Sequence, residues 1–306
     1  MKLLRVGAPG AERPAALLPD GSLVDISELV PDIVPQTLHP EMLRPLAQRL
    51  EERGPELPRL EHGNLRIAAP VHGVGKIVCV GLNYREHARE AGLPVPSEPI
   101  LFLKAGDTVV GPNDTVRIPR GSEKTDYEVE LGVVIGVQTR YLDSPAQALS
   151  HVAGFVVSND VSEREFQMER GGQWDKGKNC ETFSPLGPWL VTADEVPDPQ
   201  DLRLHLRVNG ELRQDSTTAD MIFGVEHLIW YISQFMVLRP GDIINTGTPP
   251  GVGSGFTPPR FVRDGDVVEL GIDGLGGQCH AFRGYVVSRA DDAARLPQPE
   301  PAGGLA

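Results

Sequence analysis

The chain has 306 residues, 40% of them hydrophobic, with 29 Lys and Arg set against 42 Asp and Glu for a net charge of -13. That balance argues against nucleic acid or an anionic membrane surface as a partner. The three cysteines, Cys79, Cys180 and Cys279, are far apart and never in a CxxC spacing, which argues against a disulfide framework and a thiolate zinc site.

The opening MKLLRVGAPGAERP lacks the apolar region of a secretory signal, and no apolar run approaches membrane-spanning length, so a cytoplasmic location is expected. AALLPDGSLVDI reads as a hairpin turning at Pro19-Asp20-Gly21, and HPEMLRPLAQRLEERG as a helix with leucines on one face. A proline-marked linker follows, so residues 1–70 are expected to form a small N-terminal α+β accessory domain. From KIVCVGLNY onward, short apolar runs alternate with Gly, Pro and Asn: IVCVG, PILFLK, EVELGVVIG, VAGFVVSND, LRLHLRVNG, DIINTG and VVELGI. Only YREHAREAG and MIFGVEHLIWYISQFM carry helical spacing there. The expectation is an α+β, β-dominated catalytic domain over 71–288, and a disordered tail over 289–306, where DDAARLPQPEPAGGLA has no apolar pattern.

The first stretch with chemistry in it is GLNYREHAREAG. Asn83 is the expected N-cap of a short helix over Tyr84 to Ala91, with Gly92 as its stop. His87 and Glu90, three apart, share a face of that helix. A carboxylate beside an imidazole orients the ring and raises its basicity, as a base that deprotonates water requires, although an exposed helical ion pair is the commoner meaning of this spacing. So short a helix is marginal by itself and could order as a lid over substrate.

In TDYEVELGVVIG the acids Asp126, Glu128 and Glu130 alternate with Tyr127, Val129 and Leu131, so on a strand they share one face. Glu128 and Glu130 would lie about 7 Å apart and repel by about 2 kcal/mol at an effective dielectric of 20. An isolated ExE is usually a solvated sheet face. Here a second apolar run, VAGFVVSND, delivers Asp160 at its polar end. If the two runs are neighbours, Glu128, Glu130 and Asp160 converge on one cation, and an all-oxygen ligand set suits Mg2+ or Mn2+ rather than zinc. Asp126 is either a fourth ligand or an acceptor behind the ligands.

Two further stretches complete the inventory. QWDKGKNCETF presents Lys176 and Lys178, either of which could hold negative charge or deliver a proton beside a metal site, surface lysine being the ordinary alternative. NTGTPPGVGSG follows an apolar run and could wrap the amides around Gly247, with Thr248, about a substrate carboxylate; it is not a phosphate loop, because the Gly-Lys-Ser/Thr ending is missing.

VGLNYREHAREAG, PILFLKAGDTVVGPND, KTDYEVELGVVIG, VAGFVVSNDVSEREFQ, KGKNCETFSPLGPWLV and PGDIINTGTPPGVG, in that order over roughly residues 70 to 285, resemble the fumarylacetoacetate hydrolase superfamily. The resemblance implies a mixed β-sandwich roll with a Mg2+ or Mn2+ ion on Glu128, Glu130 and Asp160. It also implies a His87–Glu90 dyad on a mobile lid, Lys178, Gln167 and Thr248 around the site, and a homodimer. Tyr84, Arg85, Phe102 and Lys104 are expected to contribute to side-chain specificity. ADMIFGV and the run from ERGGQWDKGKNCETF to VPDPQDL are most similar to a bacterial branch labelled ureidoglycolate lyase or 2,4-diketo-3-deoxy-L-fuconate hydrolase. The implied reaction is hydrolysis of a small anionic 2,4-diketo acid. Ureidoglycolate cleavage, decarboxylation and isomerisation are rivals on the same site, and a non-catalytic keto-acid-binding paralogue is the alternative of another class.

Overall fold

A computed structural model describes residues 1–61, 63 and 65–286. The tail expected to be disordered lies outside the described residues. The fold is α+β and β-dominated. A ten-stranded sheet runs, in spatial order, through Leu23–Asp25, Arg13–Leu17, Lys2–Val6, Leu190–Thr192, Val152–Asn159, Val129–Ile135, Ile243–Asn245, Lys76–Gly81 and Ile100–Ala105, with Ile67–Ala68 paired off the path to Lys2–Val6. Its pairs are antiparallel except Ile243–Asn245 with Lys76–Gly81. A second, five-stranded sheet is ordered Glu211–Thr217, Arg203–Val208, Val267–Ile272, Gly276–Arg283, Val116–Arg117.

Strand alternation decides what lies between the sheets. Val129, Leu131 and Val133 point into one core with Leu204, Leu206, Val268 and Leu270 of the second sheet and with Leu228, Ile229 and Ile232 of the helix Val225–Ser233. Each such side chain, once fully buried, contributes about 1.5–3 kcal/mol. Val134, Val156 and Ile243 face the other way, into a cluster shared with Leu43, Leu46 and Leu50 of the helix Pro40–Arg53. The leucine spacing of that helix is the reason it forms: its apolar face has a sheet to cover.

The expected hairpin is present, with Arg13–Leu17 antiparallel to Leu23–Asp25 and Gly21 at φ +82° in the turn. The N-terminal segment does not stand apart from the main sheet, because Lys2–Val6 pairs with Leu190–Thr192 as well as with Arg13–Leu17. No helix among the described residues is long and apolar enough to cross a membrane.

Candidate active site

The two central strands bring the acids together because they are antiparallel. Val129 lies opposite Asn159 and Glu130 opposite Ser158, so the start of one strand meets the end of the other, and the Asp160 amide donates to the Glu128 carbonyl at 3.0 Å. Glu128, Glu130 and Asp160 are buried, and one carboxylate oxygen from each lies within 4.8 Å of the others.

Three like charges in so small a volume need cations, and the fold supplies two ammonium groups. Lys178 Nζ donates to Glu128 Oε2 at 2.8 Å and to Asp160 Oδ2 at 2.7 Å. Lys104 Nζ donates to Asp160 Oδ1 at 2.5 Å and to the Phe183 and Val161 carbonyls at 2.6 and 3.1 Å. Arg164 adds a guanidinium 2.7 Å from Glu128. Burial would raise the Glu128 pKa, but Lys178 and Arg164 outweigh it and hold the carboxyl at about 2. Burial opposes the charge on Lys178 too, and Asp160 and Glu128 more than restore it, so the ammonium is firmly protonated.

Glu130 differs. It has no cation in salt-bridge contact among the described residues; one of its oxygens accepts the Gly247 amide at 2.8 Å. Burial, then repulsion from Asp160 and Glu128, pushes its pKa well above the carboxylate range. A divalent ion is the group that would relieve this imbalance. The donors fit it: three carboxylates, with no sulfur or imidazole in the cluster, make a hard oxygen set.

The acids open onto a cavity of about 410 Å3 lined in part by His87, Glu128, Glu130, Arg164, Gln167, Lys178 and Thr248. His87 Nδ1 lies 3.1 Å from Glu90 Oε2 on the helix Arg85–Glu90. With its Nδ1 proton on Glu90, the ring turns a free Nε2 lone pair to its surroundings. Both Glu90 oxygens also accept the Gly251 amide, at 2.9 and 3.2 Å, which fastens the helix to the 245–255 loop. Gly251 has φ +104°, and a Cβ there would come within 1.9 Å of the Arg213 carbonyl oxygen, so only glycine allows this approach. Thr248 Oγ1 donates to the Val129 carbonyl at 3.0 Å and accepts from Gln214 at 2.8 Å.

Several side chains lie elsewhere than their sequence context suggests. Asn83 does not cap the helix Arg85–Glu90: its amide donates to the Phe223 and Thr246 carbonyls, and Tyr84 occupies the N-cap with no side-chain bond. The helix spans Arg85–Glu90, and Gly92, at φ +66°, ends it as expected. Tyr84 is fully buried, Arg85 donates to the Asp220 and Met221 carbonyls, and Lys104 is tied to Asp160; none of the three lines the cavity.

Asp126 stands outside the acid cluster in the short strand Thr125–Asp126, where it accepts from Arg164 Nε at 2.8 Å and from the Tyr127, Gly253 and Ser254 amides. The glycine-rich loop therefore spends the Gly247, Gly251, Gly253 and Ser254 amides on protein carboxylates rather than leaving them for a substrate. Lys176 bonds the exposed Arg170 carbonyl, away from the acids. Arg164, which bridges Asp126, Glu128 and Gln167, was not singled out in the sequence; its only signal is the i,i+3 spacing to Gln167.

The family model for the fumarylacetoacetate (FAA) hydrolase C-terminal region matches residues 76–283. A Burkholderia multivorans protein, named no more specifically than as a hydrolase, is 53% identical over 284 residues, spanning 92% of this chain and 99% of its own. Fumarylacetoacetate hydrolase from Exiguobacterium antarcticum superposes with a TM-score of 0.79 at 34% identity, covering 93% of this chain and 100% of its own. Maleylpyruvate hydrolase from Sphingobium sp. SYK-6, solved with manganese(II) and pyruvate, superposes with a TM-score of 0.76 at 29% identity, covering 93% of this chain and 99% of its own. The family model spans well over half of the chain and these relatives are similar over nearly all of it, so the chain belongs to that family: it is a member of the fumarylacetoacetate hydrolase family. Similar structures carry isomerase as well as hydrolase names, so membership does not by itself fix the reaction.

Proposed function

We propose that the protein is a Mg2+- or Mn2+-dependent hydrolase that cleaves the C3–C4 bond of an acylpyruvate-type 2,4-diketo acid to pyruvate and a carboxylic acid. The observation that carries this reading is the buried Glu128, Glu130, Asp160 cluster opening onto the same cavity as His87, whose ring is oriented by Glu90. An ion held by the three acids supplies positive charge beside the carboxylate and 2-oxo oxygens of the substrate. His87 Nε2 takes a proton from water, whose oxygen bonds to C4. The C3–C4 electron pair passes to the pyruvate half as its enolate, and C3 regains a proton from the imidazolium. Lys178 and Gln167, both on the cavity wall, stabilise the oxyanions that develop, and Thr248 offers a hydroxyl at the same wall. A homodimer in the cytoplasm belongs to the same reading.

Isomerisation is the second reading, favoured by the isomerase names among similar structures. Ureidoglycolate cleavage and oxaloacetate decarboxylation use a similar head group and stay in the test. The protein is assayed with acylpyruvates, oxaloacetate, ureidoglycolate and a 2-hydroxymuconate-type diene, with Mg2+, Mn2+ or EDTA. Pyruvate release from acylpyruvates, lost with EDTA and reduced about 10²–10⁴-fold in His87→Ala, is expected. Retained cleavage in His87→Ala removes the proposed base. Faster release of glyoxylate and urea from ureidoglycolate makes the protein a lyase, and binding without turnover makes it a keto-acid-binding paralogue.

A further inference from the structure

We propose that the far end of the substrate is an uncharged, apolar acyl group and that the cavity selects against a second carboxylate there; this rests on the functional reading above, which specifies only the pyruvate-like head. Three observations carry it. The first is that every basic side chain lining the cavity already has an acidic partner: Lys178 has Glu128 and Asp160, Arg164 has Asp126 and Glu128, Lys124 has Glu169, and His87 has Glu90. A second carboxylate would enter without a cation of its own and would give up part of its water against apolar walls.

The second observation is the wall itself. Leu82, Leu93, Phe102, Met168, Trp174 and Phe261 all line the cavity. Leu93 and Met168 are 50% and 57% exposed, so the mouth of the cavity presents apolar surface that an apolar tail could cover. Leu93 follows the helix-ending Gly92, its amide bonding back to the Ala88 carbonyl, and Met168 ends the short helix Arg164–Met168 that carries Gln167. Trp174 is set in place: its ring meets Phe102 edge-on with centroids 5.5 Å apart, and it lies so close on Gly81 that a Cβ there would fall 2.5 Å from a ring carbon.

The third observation is the charge inventory. The six carboxylates Glu90, Asp126, Glu128, Glu130, Asp160 and Glu169 outnumber the ammonium and guanidinium groups of Lys104, Lys124, Arg164 and Lys178, with His87 shared on Glu90, so the side chains leave no surplus of positive charge. A monocarboxylate then adds one negative charge, and a dicarboxylate two.

The test reads binding before turnover. With Mg2+ present, the affinities of pyruvate, 2-oxooctanoate and 2-oxooctanedioate for the full chain are measured by calorimetry. At about fourfold per buried methylene, 2-oxooctanoate is expected to bind at least about tenfold tighter than pyruvate. It is expected to bind about a hundredfold tighter than the dioate. Met168→Lys, at an exposed position that tolerates the change, is expected to narrow the gap to the dioate about tenfold. Cleavage of 2,4-dioxooctanoate against 2,4-dioxooctanedioate should follow the same order. Pyruvate binding with no gain from the apolar tail, or a dioate that binds as tightly as the monoacid, overturns this inference and leaves the functional reading standing. If no 2-oxo acid binds in the presence of Mg2+, the functional reading falls and takes the inference with it.

Discussion

Glu130 is the acid of the cluster with no cation in salt-bridge contact among the described residues, and its raised pKa has a direct consequence for metal binding. In the ion-free protein the raised value favours the protonated carboxyl, a contribution to stability that is full below the ordinary carboxylate range and fades as pH climbs through the raised value. A divalent ion requires the ionised form, so its uptake releases a proton and its stabilising effect grows with pH over that same window. Melting temperatures with Mg2+ and with EDTA, measured from pH 5 to 8.5, should diverge as pH rises, and Glu130→Gln should abolish the divergence; a gap that is constant with pH contradicts this. Lys104 carries a different expectation. Its ammonium is fully buried on Asp160 and on the Val161 and Phe183 carbonyls, so Lys104→Met leaves Asp160 with Lys178 alone and those carbonyls without this donor, and should cost about 1–3 kcal/mol in urea unfolding of the ligand-free protein. The alternation of Glu128 and Glu130 with Val129 and Leu131 made the paired acids legible, whereas the roles of Lys104 and Arg164 were not, because their partners lie 56 and 38 residues away in sequence.

The helix Arg85–Glu90 has six residues, too few to persist without outside help, and Glu90 provides it by holding both His87 and the Gly251 amide. Glu90→Gln weakens a charge-assisted bond and removes the group that orients the imidazole. Hydrogen exchange across residues 85–92 should quicken and kcat/KM should fall about tenfold or more, with a displaced pH profile; unchanged exchange argues that the loop is held otherwise. The helix could be read from the spacing of His87 and Glu90 and from Gly92. Its cap could not, since Asn83 found better partners in the Phe223 and Thr246 carbonyls than in its own helix. For the same reason the 245–255 loop was legible as glycine-rich but not as the anchor of Glu90, Asp126 and Glu130, which depends on contacts across more than 100 residues.

At the scale of the molecule, the N-terminal segment is joined to the rest through the Lys2–Val6 and Leu190–Thr192 pairing and through the apolar cluster under Leu43, Leu46 and Leu50. Removing residues 1–70 would open the edge of Leu190–Thr192 and bare that cluster, so the shortened chain is expected to aggregate where the full chain stays monodisperse in light scattering. A soluble, metal-binding fragment would show instead that the segment is dispensable. The seven apolar runs named from the sequence all contain strands, because a buried strand has few ways to look otherwise. Glu211–Thr217 and Gly276–Arg283 escaped notice because their outward faces are polar, leaving too weak an apolar pattern. The ammonium groups of Lys104 and Lys178 wedged among the acids have one more implication. Their hydrogen bonds tie Glu128 and Asp160, at the ends of two different strands, to each other, so the grouping of these two acids is built into the polypeptide itself.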